Sequence, residues 1–180
     1  MPATGPACRL RGITLIECCA VLTILGLVIG SAVPAFRALL ERRELEGRAV
    51  ELAADLQWLR SEVVARNRTL RLSFKSGPQG SCYVVHTGAS DACECLLEGP
   101  AVCSSGSEAM KSVFLPGARP IRLESNVGSM VYDPLHGTTT VGATLRLVDT
   151  RGRSIRHVVN ILGRVRSCSP SGEVAGYKPC

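Results

Sequence analysis

The pattern of apolar and polar positions divides the chain sharply. From Ile13 to Phe36 it runs 24 residues with one charged side chain, Glu17. As a helix this run would reach roughly 36 Å, enough to cross a bilayer. After Pro34 the pattern turns amphipathic. Leu45, Ala49, Leu52, Leu56, Leu59 and Val63 recur at steps of four and three, while Glu41, Arg42, Arg43, Glu44, Glu46, Arg48, Glu51 and Asp55 fill the other faces. This predicts a helix continuing to about residue 68, with its apolar stripe packed on a sheet. Around Asn67 the period changes to two, and L-R-L-S-F (Leu70 to Phe74) alternates as a strand. Further strands are predicted at Cys82 to His86, Ser112 to Leu115, Ile121 to Glu124, Met130 to Asp133, Thr138 to Val141, Thr144 to Val148 and Ile155 to Ile161. The last two, joined by T-R-G-R, read as a β-hairpin. His86 to Lys111 is rich in Gly, Ser and Cys and reads as loop. The fold class expected is α+β, one long N-terminal helix on antiparallel sheet.

The twelve residues ahead of the apolar run carry Arg9 and Arg11 and no acid, which holds the N-terminus on the cytoplasmic side. A secretory signal peptide would need small residues at a cleavage site after the run, and S-A-V before Pro34 is a poor version of one. A plain signal anchor has no use for Glu17, since an acid in lipid costs about 2 to 3 kcal/mol. The better reading makes Gly12 the end of a basic leader and Ile13 the mature N-terminus. Glu17 then lies one turn into the mature helix, where it can meet the α-ammonium of a neighbouring subunit.

Glycine before the cut, a hydrophobic first residue, Thr14, Glu17 as the fifth mature residue, the unbroken apolar helix and Pro34 closely resemble the N-terminus of type IV pilins and pseudopilins. The resemblance implies cleavage after Gly12 by a prepilin peptidase and N-methylation of Ile13. It also implies a single-pass stay among inner-membrane lipids, with the C-terminal domain in the periplasm, before assembly with other major and minor pilins into a pilus or pseudopilus. Most members start the mature chain with phenylalanine; here isoleucine stands in its place. The segments implied are a leader (1–12), a membrane or filament-core helix (13–36), with its kink expected at Pro34, and a globular domain (37–180).

Charge and cysteines refine this picture. The formal charge is +6 overall, and residues 145–180 hold seven basic against two acidic side chains, whereas 72–144 hold four against six. Positive charge therefore concentrates in the C-terminal fifth. Of nine cysteines, Cys8, Cys18 and Cys19 precede the globular domain. The remaining six, Cys82, Cys93, Cys95, Cys103, Cys168 and Cys180, suit disulfides in an exported domain. Cys168 and Cys180 bracket a short polar tail and are expected to pair. The other four are expected to pair among themselves, in any of three ways. A zinc site from Cys93, Cys95 and Cys103 has spacings that match no common zinc motif.

S-E-V-V-A-R-N-R at the helix end, D-P-L-H-G-T-T-T and the terminal N-I-L-G-R-V-R-S-C resemble the FimT/GspH branch of minor pilins and pseudopilins. Within that branch, the G-R-x-R sequence after the last long strand, Gly163, Arg164, Val165 and Arg166, looks like the DNA-contacting motif of the FimT-like proteins that serve natural transformation. Residues two apart in an extended segment point the same way, so Arg164 and Arg166 can offer two guanidinium forks to a phosphate backbone. Gly163 would free the chain to leave the sheet just before them, the Cys168–Cys180 loop would add Lys178, and Arg151, Arg153 and Arg156 could extend the patch. The partner expected is double-stranded DNA, bound through phosphates with little sequence preference; Tyr177 is the one nearby aromatic for stacking. The alternative is a structural minor pseudopilin of a type II secretion system that binds no DNA. His86, His136 and His157 are scattered, with His136 and His157 read as loop and surface residues. No nucleophile motif, phosphate loop or cofactor motif occurs, so a non-enzymatic protein without cofactor or metal is expected.

Overall fold

A computed structural model describes residues 14–96, 100–170 and 172–180. Gly12 and Ile13, the expected processing site, lie outside them. The chain divides at Leu40/Glu41 into two units. Helix α1 (Leu15–Arg66) supplies the described first unit after Thr14 and the start of the second. Thr14 caps it: the Glu17 amide donates to Thr14 Oγ1 at 3.4 Å, with Glu17 three residues on from the cap. In the first unit Leu15, Ile16, Leu22 and Leu27 are all more than two-thirds exposed, as suits a helix whose solvent is lipid. This segment is long and apolar enough to span a membrane.

In the second unit the stripe Leu45, Ala49, Leu52, Leu56, Leu59 and Val63 is at most 2% exposed. The helix stops at Arg66 because Asn67 takes a left-handed φ of 48°. The amides of Arg68 and Asn67 turn back to the Val63 and Val64 carbonyls, the Schellman pattern. Ten strands follow: β1 (Leu70–Gly77), β2 (Gly80–His86), β3 (Cys93–Glu94), β4 (Val102–Cys103), β5 (Ala109–Pro116), β6 (Arg122–Ser125), β7 (Ser129–Tyr132), β8 (Ala143–Val148), β9 (Ser154–Val159) and β10 (Val165–Cys168). They form two antiparallel four-stranded sheets, ordered β5-β2-β1-β7 and β10-β9-β8-β6, and a small β3-β4 ribbon. One apolar core joins the helix stripe to Leu70, Leu72, Tyr83, Met130 and Tyr132 of the first sheet and Leu123, Leu145, Leu147, Ile155 and Val159 of the second.

A buried ionic tie fixes the helix to the first sheet. Asp55 accepts from the Tyr83 hydroxyl at 2.6 Å and from the Lys111 ammonium at 2.5 Å. Burial, and then the Asp55 carboxylate, push the Tyr83 phenol far above its ordinary range. The cysteines pair as Cys82–Cys95, Cys93–Cys103 and Cys168–Cys180.

Three elements differ from the sequence expectation. Thr138 to Val141 is no strand. Asp133 Oδ2 accepts the Leu135 and His136 amides, and this turn carries the chain through Gly137 to a single bridge, Tyr132 to Thr139. The segment stitches the sheets instead: Thr140 donates to the Val131 carbonyl and Thr139 to that of Ile161. The loop after His86 carries the β3-β4 ribbon, in which Cys93 stands opposite Cys103, and the first residues of β5. Finally, Ile155 to Ile161 ends as a strand at Val159, and the chain returns as the edge strand β10.

Candidate nucleic-acid interface

The G-R-x-R segment sits on the β9–β10 hairpin. Val159 and Val165 close the ladder, and residues 160–164 make the turn. Asn160 organises it: its Oδ1 accepts the Leu162 and Arg164 amides at 3.1 and 2.9 Å, and its carbonyl accepts the Gly163 amide at 2.9 Å. Gly163 is a buried turn residue at φ 70°, not a point of departure from the sheet. A Cβ there would stand 2.2 Å from the Gly137 carbonyl oxygen, so close approach of two loops is what requires glycine.

Register decides which side chains share a face. In β8 and β9, Leu145, Leu147, Ile155, His157 and Val159 are buried, whereas Arg146, Arg156 and Val158 face out. Arg166 lies opposite Val158, and Cys168 opposite Arg156. Arg166 and Arg156 are thus diagonal neighbours on the outer face, about 7 Å apart at Cβ. Arg164 and Arg166 are both exposed and share no ion pair among the described residues. At about 3.3 Å per residue their backbones are about 7 Å apart, close to the distance between neighbouring phosphates on one DNA strand.

The remaining expected cations do not join them. Arg153 Nε pairs with Asp149 at 2.6 Å and Arg151 Nε with Glu41 at 3.1 Å. Both belong to the β8–β9 turn, where Asp149 Oδ1 also accepts their amides, at the far end of β9 from Arg164. Lys178 is exposed, but its carbonyl accepts the Ser169 amide, which places it beyond the far end of β10, about 17 Å along the strand from Arg164. Tyr177 is half-buried against the core, where burial and nearby Glu46 raise its pKa, so it offers no free stacking face.

The structure adds cations that the linear pattern does not single out. Arg146 stands directly opposite Arg156 and pairs with Glu124 at 3.3 Å. Two like charges in opposed register cost stability, and Glu124 offsets only one of them. Arg60, on α1, lies over the β9–β10 turn: Cβ atoms on Gly137 and Gly163 would come within 3.0 and 3.3 Å of its Nε. Burial pushes the Tyr132 phenol up to about 12, and the Arg60 charge pulls the other way.

His157 is fully buried, not a surface residue; its Nδ1 meets Ser167 Oγ at 2.8 Å, and burial lowers its pKa to about 4. His86 is equally buried, between Ser73 Oγ and the Thr87 carbonyl. Neither faces an open cavity where it could serve as a base. Among the described residues no cluster of three or more His, Cys, Asp or Glu could hold a metal.

The model of one family, the type II transport protein GspH, matches residues 48–163, from the buried stripe of α1 through both sheets to Gly163. The chain belongs to this GspH family. It is a minor pilin or pseudopilin of the FimT/GspH kind, with the anchoring helix and the associations with other pilins that go with that family. The match ends one residue before Arg164, so the basic edge strand and its disulfide loop lie beyond the shared part. Among solved structures, the type IV minor pilin FimU of Pseudomonas aeruginosa aligns with a TM-score of 0.49 at 21% identity, covering 70% of this chain and 89% of that one. No curated protein sequence matches.

Proposed function

We propose that this GspH-family protein is a minor type IV pilin that captures extracellular double-stranded DNA for uptake in natural transformation, through Arg164 and Arg166. One observation carries the reading. Two exposed arginines without acidic partners among the described residues stand at the start of an edge strand, Arg164 closing the turn and Arg166 on the outer face of β10, whose far end is clamped by Cys168–Cys180. An unpartnered pair of forks at phosphate spacing, with Arg156 on the same face, suits backbone contact that tolerates sequence and weakens with salt. In this scheme prepilin peptidase cuts after Gly12, Ile13 becomes the methylated N-terminus, and Glu17 meets a neighbour's α-ammonium within the filament. The domain thereby reaches the outside of the cell.

The test is titration of the full chain, in neutral detergent, with a duplex of arbitrary sequence, beside an Arg164→Gln, Arg166→Gln double variant. The wild type should bind with a salt slope of about −2 to −5, as expected for a few phosphate contacts, and the double variant should lose about two contacts' worth of slope. Equal binding by the two proteins refutes the assignment. A second reading, a pseudopilin of a type II secretion system with no DNA contact, draws support from the description of the matching family. It predicts that equal result.

A further inference from the structure

A cleft of about 800 Å³ opens beside the arginine pair, lined by Gln57, Arg60, Ser61, Val64 and Ala65 of α1, by His136, and by Gly163, Arg164 and Val165. Its lining contains two guanidinium groups, an imidazole and no carboxylate. The two arginines come from elements a hundred residues apart in the chain, so their meeting is a property of the fold. Arg60 passes close over both glycines: its Nε and Cγ would lie 3.0 and 3.1 Å from a Cβ on Gly137, and its Nε and Cδ 3.3 and 3.4 Å from one on Gly163. Arg60 is half-buried and makes no ion pair among the described residues, so its five donors are available to an anion entering the cleft. His136 stands at the rim with its Nδ1 3.5 Å from Asp133. Val64, Ala65 and Val165 supply an apolar wall of the kind a deoxyribose can cover.

We propose that Arg60 and Arg164 together seat one backbone phosphate of DNA in this cleft, so that a bound duplex runs from the outer face of β9 and β10 onto the end of α1. The proposal rests on the DNA reading above and adds to it a phosphate site that lies half on the helix. A planar guanidinium can grip a phosphate bidentately, and half-burial leaves Arg60 less rotamer freedom to lose than a fully exposed cation has.

The experiment measures anisotropy of a fluorescein-labelled duplex of about 20 base pairs with the full chain in neutral detergent, from 50 to 300 mM salt. Arg60→Gln should reduce the magnitude of the salt slope by up to about 0.9 and weaken binding by up to about eight-fold at 0.1 M salt, the most that one shared phosphate can contribute. Arg60→Lys should keep the slope, a result that a purely structural role for Arg60 does not demand. Gln57→Lys adds a charge to the same cleft and should steepen the slope by a similar amount, which keeps the test decisive if Arg60→Gln fails to fold. If Arg60→Gln and Gln57→Lys both leave the slope unchanged while Arg164→Gln, Arg166→Gln loses binding, the helix site is wrong and the DNA reading stands. If the double variant binds like wild type, the DNA reading falls and the seat falls with it. Loss by Arg60→Gln of binding to anionic phospholipid micelles, with duplex binding intact, would also overturn the proposal in favour of a lipid headgroup.

Discussion

Replacing Gly163 by alanine separates two explanations for the glycine of the G-R-x-R segment: backbone freedom near a ligand, or close packing of two loops. The structure gives the second. At φ 70° an alanine pays about 1 to 2 kcal/mol for the left-handed conformation. Its Cβ would also stand 2.2 Å from the Gly137 carbonyl oxygen, a backbone atom that cannot swing aside. Relief requires the 133–137 turn and the β9–β10 turn to part, an overpacking strain of about 1 to 3 kcal/mol. The total is about 2 to 5 kcal/mol. Gly152→Ala is the control, since its φ of 82° carries the same conformational cost but nothing lies within 4 Å of the added atom. Urea unfolding read by Trp58, the single tryptophan, which packs against the core, reports both. With a slope of about 2 kcal/mol per molar, Gly163→Ala should lower the midpoint by about 1 to 2.5 M and Gly152→Ala by about 0.5 to 1 M. Equal shifts would refute the close-approach argument.

The buried His157 should make stability depend on pH. Its pKa is about 4 when folded and about 6.5 when unfolded, so the unfolded state binds the extra proton between those values. Stability from this group is complete above pH 6.5 and falls by about 3 kcal/mol as pH drops toward 4; His157→Gln should flatten that part of the profile, and an unchanged slope would exclude the group. Removing the C-terminal disulfide by Cys168→Ser, Cys180→Ser should cost about 3 kcal/mol for a 12-residue separation. Its effect on duplex affinity should be smaller than that of Arg164→Gln, Arg166→Gln, because the bridge closes the far end of β10; a larger loss in the disulfide variant would contradict the placement.

How much of this the sequence reveals depends on whether the determining contacts are local. The helix stripe is legible because its four-and-three spacing answers to one period, and all six stripe residues are buried. The helix end slips by two residues because Asn67 adopts a left-handed conformation that a periodicity count does not register. Thr138 to Val141 reads as a strand by composition, yet Thr139 Oγ1 donates to the Val141 and Asn160 carbonyls and the segment bridges sheets without extending either one. Strand β10 escapes notice because V-R-S-C has the weak apolar content of an edge. At the site, Arg164 and Arg166 are visible as a local motif. Arg151 looks equally eligible until Glu41, 110 residues earlier, neutralises it. Arg60 is invisible for the converse reason, since only the fold brings it to the β9–β10 turn.

A charged edge strand also has a use that needs no ligand. Exposed backbone groups on an edge invite pairing with another chain, and cations along it discourage that. This accounts for Arg166 on β10, and the tail already covers the end of the strand through the Ser169–Pro179 bridge. Edge protection, however, is indifferent to what lies on neighbouring elements. It does not require Arg60 to be held over two left-handed glycines, nor a cleft with two guanidinium groups and no carboxylate. Arg60 and Arg164 line one cleft without an acidic partner among the described residues, whereas Arg151, Arg153 and Arg146 each have one. If a phosphate is the missing partner, inorganic phosphate should raise the melting midpoint of the wild type more than that of Arg60→Gln, and equal shifts would count against the seat.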